Sequence, residues 1–193
     1  MFTATKEKCI ITEESQCNPS TIYGRVKCET VEFLNSVRNE SNLRCHSLIL
    51  FNQESPLRKQ GFLFNDLANK LSECLITKRN VIEVQNKYYS ADWSDARDLP
   101  ALFEQLFSNS YYQNLVVSSG IACTIEELVY RSWGLLCREF DLAPIQVKTK
   151  QNSISPVLVG DSSKALSIGW NGSRAIEKTL VDFVKQNRFG KSC

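Results

Sequence analysis

Asn18-Pro19-Ser20-Thr21-Ile22-Tyr23-Gly24-Arg25-Val26-Lys27 opens the first helical pattern of the chain and places a tyrosine and a lysine four residues apart. Positions i and i+4 share a helix face, so a phenol and an ammonium lie side by side. A neighbouring cation favours phenolate, which suits tyrosine to acid/base work near neutral pH. Tyr-x-x-x-Lys by itself also describes two neighbours on a solvated helix face. Downstream, Val26, Thr30, Phe33, Leu34 and Val37 recur at helical spacing and predict a helix from about Ser20 that stops at Asn39-Glu40-Ser41-Asn42.

Residues 1 to 19 are polar and read as a loop. Cys45 to Phe51 is a short apolar run suited to a buried strand, and Asn52 to Gly61 reads as its loop. Phe64, Leu67, Ala68, Leu71 and Leu75 mark a helix over Phe62 to Leu75, and Val81 to Val84 a strand. A helix is predicted over Asp98 to Phe107, with Pro100 in its first turn, followed by a strand at Leu115 to Val117. Thr124-Ile125-Glu126-Glu127 places a capping hydroxyl before two acids, predicting a helix to about Phe140. Ile145 to Val147 is a possible strand, Ser163 to Ile168 a short helix, and Arg174 to Gln186 the last helix. The succession is that of an α/β fold.

Composition narrows the function classes. The 193 residues are 42% hydrophobic and 10% aromatic, as in an ordinary globular domain, and 23 basic against 21 acidic residues give a net charge of +2. Basic residues are dispersed, so nucleic acid is not an expected partner. No apolar run is long enough to span a bilayer, and Met1 to Lys8 lacks the apolar segment of a signal peptide. The eight cysteines (Cys9, Cys17, Cys28, Cys45, Cys74, Cys123, Cys137 and Cys193) form no Cys-x-x-Cys, and the single histidine is His46. No metal site is expected. Cys28, Cys74 and Cys137 fall among apolar residues of helical patterns, as reduced core thiols of a cytoplasmic protein do.

Several stretches, in order along the chain, carry a resemblance. They are Ile11 to Ser15 with Cys17-Asn18-Pro19 and Tyr23 to Lys27; Leu50-Phe51-Asn52-Gln53-Glu54-Ser55-Pro56-Leu57-Arg58; Asp92-Trp93-Ser94-Asp95-Ala96-Arg97-Asp98; and Gly160-Asp161-Ser162-Ser163-Lys164-Ala165 followed by Ile168-Gly169-Trp170. Together they resemble the extended short-chain dehydrogenase/reductases that remodel nucleotide sugars, and most of all the GDP-mannose 4,6-dehydratases. The second stretch is similar to that family's Leu-Phe-Asn-His-Glu-Ser-Pro.

The resemblance implies the C-terminal part of a Rossmann-type domain (residues 1–60, with the Tyr23 helix) plus mostly substrate-domain elements (61–193), in one truncated unit. It implies NAD or NADP chemistry in which C4 of the sugar is oxidised, water leaves across C5–C6 and hydride returns. Tyr23 would be the acid/base, Lys27 would hold the cofactor ribose, and Asn52 and Arg58 would meet the substrate. Asn52 is equally a loop amide satisfying local backbone, Asp92 a capping acid beside a core indole, and Arg58 a solvated cation.

Parts of the pattern are missing. None of the eight glycines forms the glycine-rich turn that cradles a pyrophosphate. Placed on the family, Met1-Phe2 falls just after the segment with the catalytic Ser/Thr. Ala91 stands where the family has Arg, and Phe64-Asn65-Asp66 stands for Thr-Arg-Lys. The chain alone is therefore not expected to bind NAD or NADP. Three functions are compatible with it: a dehydratase or epimerase of nucleotide sugars, a non-catalytic or regulatory module pairing with itself or a full-length relative, and a split enzyme whose N-terminal half is a separate chain.

Overall fold

A computed structural model describes residues 1–3, 8–41, 44–108 and 113–189 as a mixed α/β chain with mostly parallel strand pairs. The predicted first helix is α1 (Ile22–Ser41), its Thr21 hydroxyl accepting from the Gly24 amide at 3.0 Å; Asn42, in the expected stop, lies outside the described residues. Gly24 and Cys28 are the buried positions, while Val26 and Phe33 are 53% and 65% exposed. The helix docks closely through small residues: a Cβ at Gly24 would lie 2.9 Å from the Met1 nitrogen and 3.1 Å from the Pro19 Cβ.

The expected buried strand is β2 (Ser47–Leu50). It pairs in parallel with β6 (Asn114–Val117), Leu48 opposite Leu115 and Leu50 opposite Val117. Against this pair pack α3 (Leu99–Ser108), which follows a 3-10 turn at Ala96–Asp98, and α5 (Ser163–Ser167). Leu102, Leu106, Leu115, Val117, Ala165 and Trp170 form their common core.

A second core joins α2 (Leu63–Thr77), α4 (Ile125–Phe140) and α6 (Ile176–Phe189) to the parallel pair β4 (Val81–Val84) and β8 (Gln146–Thr149). Phe64, Leu67, Leu71, Leu128, Leu136 and Leu180 lie at its centre. The Thr124 signal is realised as a full capping box: Glu127 N donates to Thr124 Oγ1 at 3.1 Å, and Thr124 N donates to the Glu127 carboxylate at 2.8 Å. The two cores alternate along the chain.

Five strands differ from expectation. β1 (Lys8–Ile11) lies in the stretch read as a loop and pairs in parallel with β9 (Val157–Gly160). β3 (Asn52–Glu54) occupies the supposed loop after β2. It pairs in parallel with β5 (Ser90–Asp95), which pairs antiparallel on its other side with β7 (Ala122–Thr124). β5 reads as polar, yet Asp92 and Asp95 are buried. Such groups persist inside a protein only with partners. The Asp92 carboxylate accepts from Ser119 N (2.9 Å), Ser119 Oγ (2.6 Å), Gly120 N and Gly160 N (both 3.1 Å). It is a tie between β5, the β6–β7 connection and β9, not a helix cap.

The seven described cysteines are free thiols, and Cys193 lies outside the described residues. No described helix is long and apolar enough to cross a membrane.

Asp95 gives the fold a measurable pH dependence. Burial opposes its ionisation, but Arg97 Nη2 and Thr179 Oγ1, each donating at 2.6 Å, outweigh burial and hold the carboxyl below its ordinary 3.8. A depressed folded value means the contribution is present above the unfolded value and is lost as pH falls through the folded one. The urea midpoint should therefore drop between about pH 5 and about pH 3, and drop less in Asp95→Asn. Parallel curves for the two proteins would remove Asp95 from the account.

Candidate functional site

An open cleft of about 760 Å3 is lined by the first turns of α1, the β2–β3 run from Leu48 to Gln53 and the start of β5. Tyr23, Lys27, Asn52 and Arg58 all line it. Residues thirty positions apart in sequence thus line one opening.

Tyr23 is 72% exposed, and the Lys27 ammonium sits over its ring, 5.4 Å from the centroid. The expected phenol–ammonium neighbours are present as a cation–π pair, an arrangement that contributes about 0.5–1 kcal/mol at exposed sites. Asn52 Nδ2 donates to the Asp92 carbonyl at 2.9 Å, leaving Oδ1 for solvent or a ligand. Its amide therefore both ties β3 to β5 and faces the cleft. Arg58 is not the solvated cation the sequence favoured. Its Nε donates to Glu54 at 2.6 Å, its Nη2 to the Gln53 carbonyl, and its guanidinium stacks 4.8 Å from the Phe62 ring centroid. Burial pushes the Glu54 carboxyl up despite the opposing pull of Arg58.

The residues standing for the family's Thr-Arg-Lys all have structural employment. Phe64 is in the second core, Asn65 Nδ2 donates to the Arg58 carbonyl at 2.7 Å, and Asp66 pairs with Lys70 at 2.8 Å. None adds a cation to the cleft. Two lining residues escaped the sequence reading. Gln53, standing where the family motif has His, donates weakly to the Val117 carbonyl at 3.4 Å, and Tyr89 packs on Trp93 with ring centroids 6.3 Å apart. The signal for Tyr89 was the aromatic doublet Tyr88-Tyr89 directly before β5.

A phenol, an ammonium, a carboxamide and a guanidinium around one opening can donate to a polar, anionic ligand and move a proton at the Tyr23 oxygen. No cluster of three or more His, Cys, Asp or Glu able to hold a metal occurs among the described residues. A nicotinamide dinucleotide is the cofactor that the resemblance implies. Its pyrophosphate would need a glycine-rich strand-to-helix turn, and the 193 residues contain none. These residues therefore do not fit the whole cofactor.

Comparison with known proteins places the chain. The family model for GDP-mannose 4,6 dehydratase matches residues 1–183. GDP-mannose 4,6 dehydratase 2 of Arabidopsis thaliana is 25% identical over 177 residues, covering 91% of this chain and 48% of that protein. GDP-mannose 4,6 dehydratase of Cricetulus griseus is 24% identical over 186 residues, covering 86% and 50%. The chain spans about half the length of these curated relatives. Among solved structures, RMD from Pseudomonas aeruginosa complexed with NADPH superposes with a TM-score of 0.77 at 19% identity, over 92% of this chain and 59% of that one. dTDP-glucose 4,6-dehydratase from Bacillus anthracis in complex with NAD gives 0.73 at 13% identity, over 98% and 59%. The structures share the fold, and the match of the family model over nearly the full length shows that the chain belongs to the GDP-mannose 4,6 dehydratase family.

Proposed function

We propose that this chain is the acid/base and substrate-facing part of a cytoplasmic nucleotide-sugar dehydratase of the GDP-mannose 4,6-dehydratase type, and that it is not catalytically autonomous. The observation that carries this reading is the convergence of Tyr23, Lys27, Asn52 and Arg58 on one cleft. Tyr23 takes the proton from the hydroxyl oxygen on C4 of the sugar, Lys27 orients Tyr23 and meets the ribose, and Asn52 offers its Oδ1 to a sugar hydroxyl. NAD or NADP, when bound, supplies the hydride chemistry, and its pyrophosphate must be held by residues outside this sequence.

The test is complementation. The 193-residue chain with GDP-mannose and NADP should give no 4-keto sugar product. Product should appear when a dinucleotide-binding half of a relative is fused before Met1 or supplied in trans. Tyr23→Phe should lower that turnover by about 10²-fold or more, the usual weight of a general acid/base. Turnover by the chain alone would overturn the lack of autonomy, and unchanged turnover in Tyr23→Phe would remove its role.

A second reading, a module that works by association with itself or with a related Rossmann-containing chain, is favoured by one observation. Ile22, Val26 and Phe33 turn outward along α1, at 81%, 53% and 65% exposure. A stripe of this kind on a monomer is uncommon unless a partner covers it. Light scattering across a concentration series should show self-association that Phe33→Glu abolishes without loss of helical signal. A monomer at all concentrations would leave the stripe without a second copy as its partner.

A further inference from the structure

The connection between α5 and α6 carries a reactive dipeptide. Asn171-Gly172 is the single Asn-Gly in the 193 residues. Both residues are exposed and lie in irregular backbone. Among the described residues, none forms a hydrogen bond with Asn171, Gly172 or Ser173. The positions on either side, by contrast, are fastened to one residue. The Trp170 indole Nε1 donates to the Asp98 carbonyl at 3.2 Å. Arg174 N donates to Asp98 Oδ2 at 3.0 Å, and its Nε pairs with Oδ1 at 3.1 Å. Packing also fixes which residue follows Asn171. A Cβ on Gly172 would lie 2.8 Å from two atoms of the Trp170 ring, so a glycine, with its unshielded amide, is kept there.

We propose that Asn171 is a site of spontaneous deamidation, which turns this connection into an isoaspartyl linkage. The two reacting groups are neighbours through the covalent chain itself, and the fold leaves both open to water. The Gly172 amide nitrogen gives up its proton and attacks Asn171 Cγ. A C–N bond forms and closes a succinimide ring, the bond from Cγ to Nδ2 breaks, and ammonia leaves with that proton. Water then opens the ring. Attack at Cγ breaks the new bond and yields aspartate with the backbone unchanged. Attack at the main-chain carbonyl carbon of residue 171 breaks the original peptide bond and yields isoaspartate, with the chain running through Cβ and Cγ. One water is consumed and one ammonia released, with no change in oxidation state.

Isoaspartate is the product with a structural consequence. Residues 171–173 form a short span whose two ends are both held by Asp98, and the extra backbone methylene must be taken up between them. Trp170 is buried in the core with Leu102 and Ala165, whereas the Arg174 side chain is half-exposed. The indole end is therefore the firm one, and the Arg174 end yields. Conversion parts Arg174 from Asp98 and places a carboxylate where a neutral amide stood.

Peptide mapping tests the site independently of any activity. The full chain is aged in mildly alkaline buffer at physiological temperature, beside a synthetic Ala165–Arg174 peptide, and a fresh aliquot sets the background from digestion. Trypsin releases the same peptide from the chain, and Asn171 is its single side-chain amide. The aged chain should yield this peptide one mass unit heavier, mostly as isoaspartate that a protein isoaspartyl carboxyl methyltransferase labels. Its rate should lie within an order of magnitude of the synthetic peptide's. Amide hydrogen exchange at Arg174 should rise in the aged chain but not in Asn171→Asp, whose backbone keeps its length. Conversion slower than the free peptide's by more than an order of magnitude would overturn the proposal, because the fold would then be protecting the site. So would a heavier peptide consisting of aspartate alone, or exchange at Arg174 that ageing leaves unchanged or that rises equally in Asn171→Asp.

Discussion

One buried carboxylate organises the centre of this protein. Asp92 is fully enclosed and accepts three backbone amides and one hydroxyl, drawn from Ser119, Gly120 and Gly160. Through Gly160 it holds β9, and through β9 the β1 strand that pairs with it. Its own carbonyl receives the Asn52 side chain, which fixes β3. Leaving the three amides unpaired would cost ~1–3 kcal/mol each. The glycines around the carboxylate are equally constrained. Gly120 has φ +74°, which side chains disfavour, and a Cβ on Gly160 would lie 2.3 Å from Ser118 Oγ.

This arrangement explains why the helices were more legible in the sequence than the sheet. α2 and α4 announce themselves locally, by apolar spacing and by the Thr124–Glu127 box. β5 does not. Ser-Ala-Asp-Trp-Ser-Asp is poor in strand-forming residues, and its burial depends on donors far away in sequence, such as Gly160 for Asp92 and Thr179 for Asp95. β1, β3, β7 and β9 are three or four residues long and exist because a partner strand is present. For α1 the spacing predicted the helix and said nothing of its facing. Apolar spacing states that a stripe exists, not what receives it, and Gly24 with Cys28 made the opposite face the closer-packing one.

The site was legible in a different way. Tyr23 and Lys27 lie within one helical turn, so their proximity follows from geometry alone. Asn52 and Arg58 came only from the order of family-like segments, and nothing in the spacing brings them to Tyr23. The fold does that, by lining one cleft with α1 and the β2–β3 run. Gln53 and Tyr89 belong to the same cleft but carry no motif that chemistry would single out.

The state of the two cleft cations bears on what the cleft is suited to hold. Lys27 rests on an exposed aromatic face, an interaction of under about 1 kcal/mol, so a ligand can recruit it readily. Arg58 is held more firmly, by Glu54, by the Gln53 carbonyl and by Phe62, and its partner Glu54 is itself mostly buried. Drawing Arg58 to a phosphate would leave that carboxylate buried without its cation, a larger cost than breaking an exposed pair. Phe64-Asn65-Asp66 brings no further cation to share the load. The cleft is thus better equipped to orient Tyr23 with Lys27 than to grip a diphosphate, which agrees with a part that does proton chemistry and relies on other residues for the anionic end of its ligands.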